Sequence, residues 1–230
     1  MKAYRVALVT FVVFLCLAIA DSAWARAGGG GGGSGRGSWL SIVLLPFFLI
    51  YSAILTHQVR KKSRACKELL ARLERMDSAW SLNAIRHRVD EVFFKVQNAW
   101  RERNQELAKD CMSAAIFQKH KLQTDQMIAE HRVNVLENIN LIQVDIVDVE
   151  DFLDNRKDRF WAHLEGSMID YTMDDTDNRV VSGNNTKAER FTELWKFVRA
   201  GNTWVLDEID QSVSLSDLKS FEAKTDSSAV

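Results

Sequence analysis

The sequence predicts an α+β domain, helices first and an antiparallel sheet after, behind a membrane-directed N-terminus. Three observations carry this. Apolar residues recur at helical spacing through residues 82–131. From about residue 140 the pattern changes to short alternating runs separated by turn residues. Helices followed by sequential strands with short connections define an α+β rather than a parallel α/β architecture. Finally, the first sixty residues hold two apolar runs, the second ending at a basic cluster.

The first run, residues 6–20, follows Lys2 and Arg5 and precedes the small-x-small triplets Ala23-Trp24-Ala25 and Ala25-Arg26-Ala27. It is too short for a hydrocarbon core of about 30 Å. Residues 1–27 therefore read as a cleaved signal peptide, the alternative being an uncleaved first membrane helix. Residues 28–38 form a Gly-rich linker. Residues 39–57 are free of charge up to the basic cluster, carry Trp39 and Tyr51 toward their ends, and contain Pro46, the one proline of the chain. Their length suits a transmembrane helix, which tolerates a proline better than a soluble helix does; a buried core helix is the alternative. Residues 58–76 form a basic amphipathic stalk. Arg60, Lys61, Lys62, Arg64 and Lys67 are expected to meet anionic lipid, and Val59, Cys66, Leu69, Leu70, Leu73 and Met76 recur at helical spacing. The linker holds only Arg26 and Arg36, so this Lys/Arg asymmetry predicts that the basic side, and everything after it, is cytoplasmic.

Charge divides the chain. Residues 58–76 hold seven Lys/Arg against two acids, +5, whereas residues 77–230 hold nineteen against twenty-eight, −9. A domain this acidic repels nucleic-acid phosphates, so no nucleic-acid partner is expected. Cys66 and Cys111 lie in no CxxC or metal spacing and read as free thiols. The five histidines form no HxxxH or HExxH, and the chain has no P-loop, GxGxxG or GxSxG. No metal, cofactor or catalytic residue is expected.

Within residues 77–211, Leu82, Ile85, Val89, Val92, Phe93, Val96 and Trp100 mark one helix face, with Ser81 as its N-cap. A short helix is expected at residues 105–112, and a third helix from Ala114 to about His131, capped by Ser113. Ile142, Val144 and Ile146 alternate with Gln143 and Asp145 as a half-buried strand. Residues 160–171 read as a long strand with a bend at Gly166. An acidic turn at 173–178, a short strand at Val180-Val181 and a turn at 183–186 follow, then strands at 191–199 and 204–209. Asp170, Asp174, Asp175 and Asp177 lack the central Gly and terminal Glu of a calcium loop and read as a solvated hairpin. Asn184-Asn185-Thr186 fits a glycosylation sequon but lies on the side expected to be cytoplasmic. Residues 212–230 read as a polar tail that frays.

VLENINLIQVDIVDV at residues 135–149, Asp170-Tyr171, Val180-Val181-Ser182-Gly183, RFTELWKFVR at 190–199 and NTWVLDEI at 202–209 stand in one order. With them the chain resembles, over residues 82–211, the C-terminal domain of subunit 44 of the mitochondrial inner-membrane translocase, in its bacterial form. The strongest part is the F-x-E-x-W-x-F-x-R string with W-x-L after it, carried by Phe191, Glu193, Trp195, Phe197, Arg199, Trp204 and Leu206. The resemblance implies a cone like that of nuclear transport factor 2: helices on a curved antiparallel sheet that leave a pocket. Mitochondrial relatives hold an import chaperone or the ribosome at the membrane, and the tethering role carries over better than either partner.

These readings converge on a single-pass protein of the bacterial inner membrane. Its cytoplasmic domain is expected to bind membrane lipid, an apolar ligand or an unidentified membrane or cytoplasmic protein. The expected pocket residues are Glu193, Trp195, Phe197 and Arg199 on one strand face, with His163 and Tyr171. Arg199 is expected to pair with Glu193. The alternative is a small-molecule lyase or isomerase using His163, Asp170 and Tyr171, although alternation puts Asp170 on the opposite face from the other two.

Overall fold

The computed structural model describes residues 39–226, with side chains from Leu44. The expected signal peptide and Gly-rich linker lie outside the described residues. Three helices come first: α1 (Trp39–Leu73), α2 (Leu82–Arg101) and α3 (Ala114–Ala129). Strands β1 (Arg132–Asp151), β2 (Arg159–Asp174), β3 (Val180–Ala200) and β4 (Thr203–Asp210) follow. A short helix α4 (Leu215–Ser220) and a two-residue strand β5 (Lys224–Thr225) close the chain. The sheet order is β4-β3-β2-β1-β5. The first four strands are antiparallel in chain order, but β5 runs parallel to β1, so the sheet is mixed rather than purely antiparallel.

α1 is a single helix of 35 residues that carries Pro46. Its first half exposes Leu45, Phe47, Phe48, Leu49, Ile50, Tyr51 and Ile54. Among the described residues no helix is long and apolar enough to cross a membrane; the apolar run expected to do so begins at Trp39, five residues before the first described side chain. The second half differs from the stalk expected of it. Cys66, Leu69, Leu70 and Leu73 are buried in the main core beside α2 and the sheet. Only Met76 of the predicted apolar set is exposed. The domain therefore begins inside α1 and not at Asp77.

α2 buries Ile85, Val89, Val92, Phe93, Val96 and Ala99, the face its spacing predicts, with Trp100 at the margin. Ser81 occupies the N-cap position but contributes no side-chain bond. Ser113 does cap α3, accepting from the Ile116 N–H at 3.4 Å. α3 stops at Ala129, because His131 adopts φ 55° and turns the chain into β1.

β1 is far longer than the alternation suggests. Register shifts between Glu137 and Asn140, Leu141 and Gln143, and Ile146 and Asp148 break the period of two, leaving Ile142 exposed. β2 bends beside one of these shifts. Gly166 pairs with Leu141 there, and a Cβ on it would collide with the Phe191 ring. The expected turn at 183–186 is a bulge inside β3: Asn184 Oδ1 accepts the Thr186 and Lys187 N–H groups while the strand continues on either side. Gly201, φ 62°, supplies the left-handed residue of the tight β3–β4 turn.

The sheet buries both faces. The inner face packs Phe160, Ala162, Leu164, Trp195, Phe197 and Leu206 under α2. Phe160 stacks on Phe197 at 4.9 Å, and Phe93 of α2 meets Trp195 at 5.5 Å. The outer face packs Val147 and Leu194 against Val59 of α1 and Leu218 and Phe221 from the C-terminus. The tail expected to fray is thus partly ordered, because Leu218 and Phe221, three residues apart, give α4 one apolar side.

The burial of α1 sets a first test. Fully burying an aliphatic side chain is worth about 1.5–3 kcal/mol, so Leu69, Leu70 and Leu73 together approach the total stability of a domain, about 5–15 kcal/mol. A soluble fragment beginning at Thr56 should unfold cooperatively in urea. One beginning at Asp77 should show no cooperative transition.

Candidate functional site

The F-x-E-x-W-x-F-x-R strand delivers its side chains to the inner face as alternation requires, but its aromatic residues fill the core, and of the string only Arg199 lines a cleft. Trp195 and Phe197 are completely buried among aromatic rings. Glu193, 8 % exposed, accepts from Trp195 Nε1 at 2.8 Å and from Gln211 Nε2 at 3.0 Å. The expected Glu193–Arg199 pair does not form. Six residues at about 3.3 Å each put them about 20 Å apart along the strand, beyond the reach of both side chains.

Arg199 instead locks the β3–β4 hairpin to the loop before α2. Its Nη2 donates to Asp77 Oδ2 at 2.9 Å and its Nε to the Gly201 carbonyl at 2.7 Å. Asp158 Oδ2 lies 3.9 Å from Nη1, and the guanidinium sits 5.3 Å from the Trp204 ring centre. Trp204 Nε1 donates to the Ala79 carbonyl, and Arg88 Nε to the Trp204 carbonyl. Asp158 is fully buried and accepts the Phe152 N–H at 2.9 Å; burial is the main cause that pushes its carboxyl up to about 6. A cleft of about 290 Å³ opens here, lined by Asp77, Ser78, Ala84, Arg88, Arg199 and Trp204. It is small and polar, unlike the apolar cone pocket implied by the resemblance. A second, shallower groove of about 480 Å³ lies between Arg86, His87 and Asp90 of α2 and residues 141–144 of β1.

His163 and Tyr171 do not share a site. Eight residues of β2 separate them, about 26 Å at the strand rise. His163 lies on the outer face, opposite Asp145 and Leu194 in the register, and is 2 % exposed. Neither of its ring nitrogens makes a hydrogen bond, and burial pulls its pKa down despite Glu165 and Asp145 nearby. Tyr171 is half-exposed, its hydroxyl 3.5 Å from Glu137 Oε1. Asp170 accepts from Asn134 Nδ2 at 2.7 Å. These residues cannot act together on one small substrate. Among the described residues no cluster of His, Cys, Asp and Glu could hold a metal ion. Cys66 and Cys111 are buried free thiols, pushed by burial to about 12 and about 11, which leaves both without thiolate character.

Of the basic cluster, Arg60, Lys61, Arg64 and Lys67 are exposed. Lys62 is not available to lipid in the same way: it turns inward and its ammonium donates to the Phe221 carbonyl. Beside it, Ser63 Oγ donates to Asp145 Oδ1 at 2.8 Å, and Gln143 Nε2 bonds the other carboxylate oxygen. Asp148, 4 % exposed, completes this buried polar seam between α1 and β1, its Oδ1 without a bond. Sequence reasoning missed the seam. Its one signal is Asp145 and Asp148 interrupting the apolar residues Val144, Ile146, Val147 and Val149.

A family model described as the Tim44-like domain matches residues 66–211. The chain belongs to the Tim44-like domain family. The match begins at Cys66, inside α1, at the first residue that helix contributes to the main core. Membership marks the chain, at a coarse level, as a binding or tethering module. Among solved structures the chain is similar to the intermembrane-space region of the chloroplast protein ARC6, at 13 % identity and a TM-score of 0.39, over 55 % of this chain and 95 % of that one. No curated protein gives a significant sequence match.

Asp148 generates a pH prediction. Burial, then Glu150, pushes its carboxyl up from 3.8 to about 6, against the Val149 N–H, Lys62 and Lys224. Between about pH 4 and 6 the folded chain holds a proton that the unfolded chain has released, so stability falls as pH rises through that window. Asp148→Asn should therefore be more stable than wild type near pH 7.5, by up to about 3 kcal/mol. The gain should vanish near pH 4, as urea titrations at the two pH values would read out.

Proposed function

We propose that this chain is a membrane-anchored tethering module, with the first half of α1 in the bilayer of a bacterial inner membrane and the Tim44-like domain in the cytoplasm as a platform for a partner protein. One observation carries the reading. α1 runs unbroken from Trp39 to Leu73, presenting exposed Phe47, Phe48, Leu49 and Ile50 at one end and burying Cys66, Leu69, Leu70 and Leu73 at the other. An apolar helix end projecting from a folded domain needs an apolar solvent, and about twenty apolar residues suffice to span one. Because the same helix continues into the core, the domain is held at a fixed angle to the anchor and not on a flexible leash.

Charge supports the orientation. Arg60, Lys61, Arg64 and Lys67 form an exposed basic collar where the apolar stretch ends, a site where cytoplasmic Lys/Arg are favoured. The acidic domain beyond would be repelled by anionic headgroups, which leaves its surfaces turned toward the cytoplasm and a protein partner. The lyase or isomerase reading finds no support in the separated positions of His163 and Tyr171.

The anchor is tested in a chain begun at residue 34, so that the first apolar run contributes nothing. Replacing Phe47, Phe48, Leu49 and Ile50 with Ser should move the protein from the carbonate-resistant membrane pellet to the supernatant, with the domain's thermal transition unchanged. Retention in the pellet, or a parent chain already soluble, would refute the anchoring role.

A further inference from the structure

The inner face of the sheet is filled by α2, whereas the outer face is covered by chain outside the matched residues 66–211. Leu55 and Val59 of α1 cover one part. The C-terminal residues 213–226 cover the rest. Val213 leads in and Ser214 caps α4 through a capping box with Asp217. Leu218 is buried, Phe221 stacks on Trp161 at 5.5 Å, and the Phe221 carbonyl accepts the Lys62 ammonium. The segment then pairs with β1 at Lys224 and Thr225, with Thr225 Oγ1 donating to Asp151 Oδ2 at 2.8 Å and the Asp226 N–H to the Asp151 carbonyl at 2.8 Å.

Two features make this contact ligand-like. The segment is held by few anchors: two buried apolar side chains order a whole stretch of chain, and a helix of six residues has no stability of its own. The face beneath is also imperfectly satisfied. His163 has no hydrogen bond at either nitrogen and Asp148 none at Oδ1, although both are almost fully buried. Buried polar groups left in this state favour exchange for a segment that meets them. Asp148 feels the charge of Lys224, three residues beyond Phe221, while Glu150 beside it is held by Arg159.

We propose that the outer face is a docking groove for a short amphipathic protein segment bearing an aliphatic anchor, an aromatic one three residues on and a basic residue three further, and that residues 213–226 occupy it in cis as a displaceable plug. This rests on the reading of the chain as a protein-binding module, and it is independent of the membrane anchor. It places partner exchange at the seam where α1 meets the sheet, so a partner that displaces the plug also takes over the contact with Lys62.

The test uses the full chain in detergent micelles and a fluorescein-labelled peptide of residues 212–226. A Leu218→Ala/Phe221→Ala chain, its plug loosened, should bind the peptide at least about tenfold more tightly than wild type by the ratio of dissociation constants, one decade in affinity. A peptide with Phe221→Ala should bind neither. Equal binding by both chains, or binding by neither, overturns the proposal. So does loss of cooperative unfolding in the double variant, which would make the segment core. Hydrogen exchange on the unaltered chain gives a second reading: amides of residues 215–226 should exchange at least about a hundredfold faster than those of β2, and equal protection would also overturn the plug. All readouts are taken in micelles, so failure of the membrane-release experiment leaves them unaffected.

Discussion

The structure depends on α1, one helix that exposes apolar residues in its first half and buries them in its second. Its C-terminal half supplies Cys66, Leu69, Leu70 and Leu73 to the core at intervals of three, one and three, a single stripe facing α2 and the sheet. Remove that stripe and the inner core loses one wall. The same helix also touches the outer face through Leu55, Val59 and Lys62. It is therefore the only helix with side chains in both apolar clusters among the described residues. α1 is one helix across both parts, with a single N–H missing from its ladder at Pro46.

The residues that mark the family do structural work. Phe191 covers Gly166, Trp195 and Phe197 fill the core, Arg199 holds Asp77, and Trp204 holds the Ala79 carbonyl. Arg199 commits Nη2 to Asp77 and Nε to the Gly201 carbonyl, while its buried Nη1 has Asp158 at 3.9 Å and no hydrogen bond. A buried ion pair of this kind is costly to break from one side, since the remaining carboxylate is left without its partner. Such a string reports fold membership, and it leaves the outer face and the C-terminal segment over it to other residues.

Much of this was legible in the sequence where one physical pattern acts alone. The α2 face follows from spacing, and the inward direction of Trp195 and Phe197 follows from alternation. β1 extends beyond its alternating stretch because three register shifts break its period of two. The domain starts before Asp77 because the apolar stripe of α1, legible from its spacing, packs on α2 and the sheet, and spacing does not say what a stripe faces. The Glu193–Arg199 pair was excluded by the strand rise alone, about 20 Å over six residues, and alternation without distance overlooked it. Leu218 and Phe221 stand as isolated apolar residues in a polar tail, and their partners come from four elements distant in sequence, α1, β1, β2 and β3, which no local pattern encodes.

The central claim is that α1 changes surroundings without a break. Single-cysteine substitutions from residue 45 to residue 73, in a chain whose Cys16, Cys66 and Cys111 are replaced by Ser and Ala, would be labelled with a membrane-impermeant maleimide in inverted vesicles. The account predicts protection on every side of the helix up to Thr56. Beyond it, protection should repeat with the helical period, strongest at 59, 63, 66, 70 and 73. Uniform labelling from residue 57 to residue 73 would mean a detached stalk, and would contradict the account.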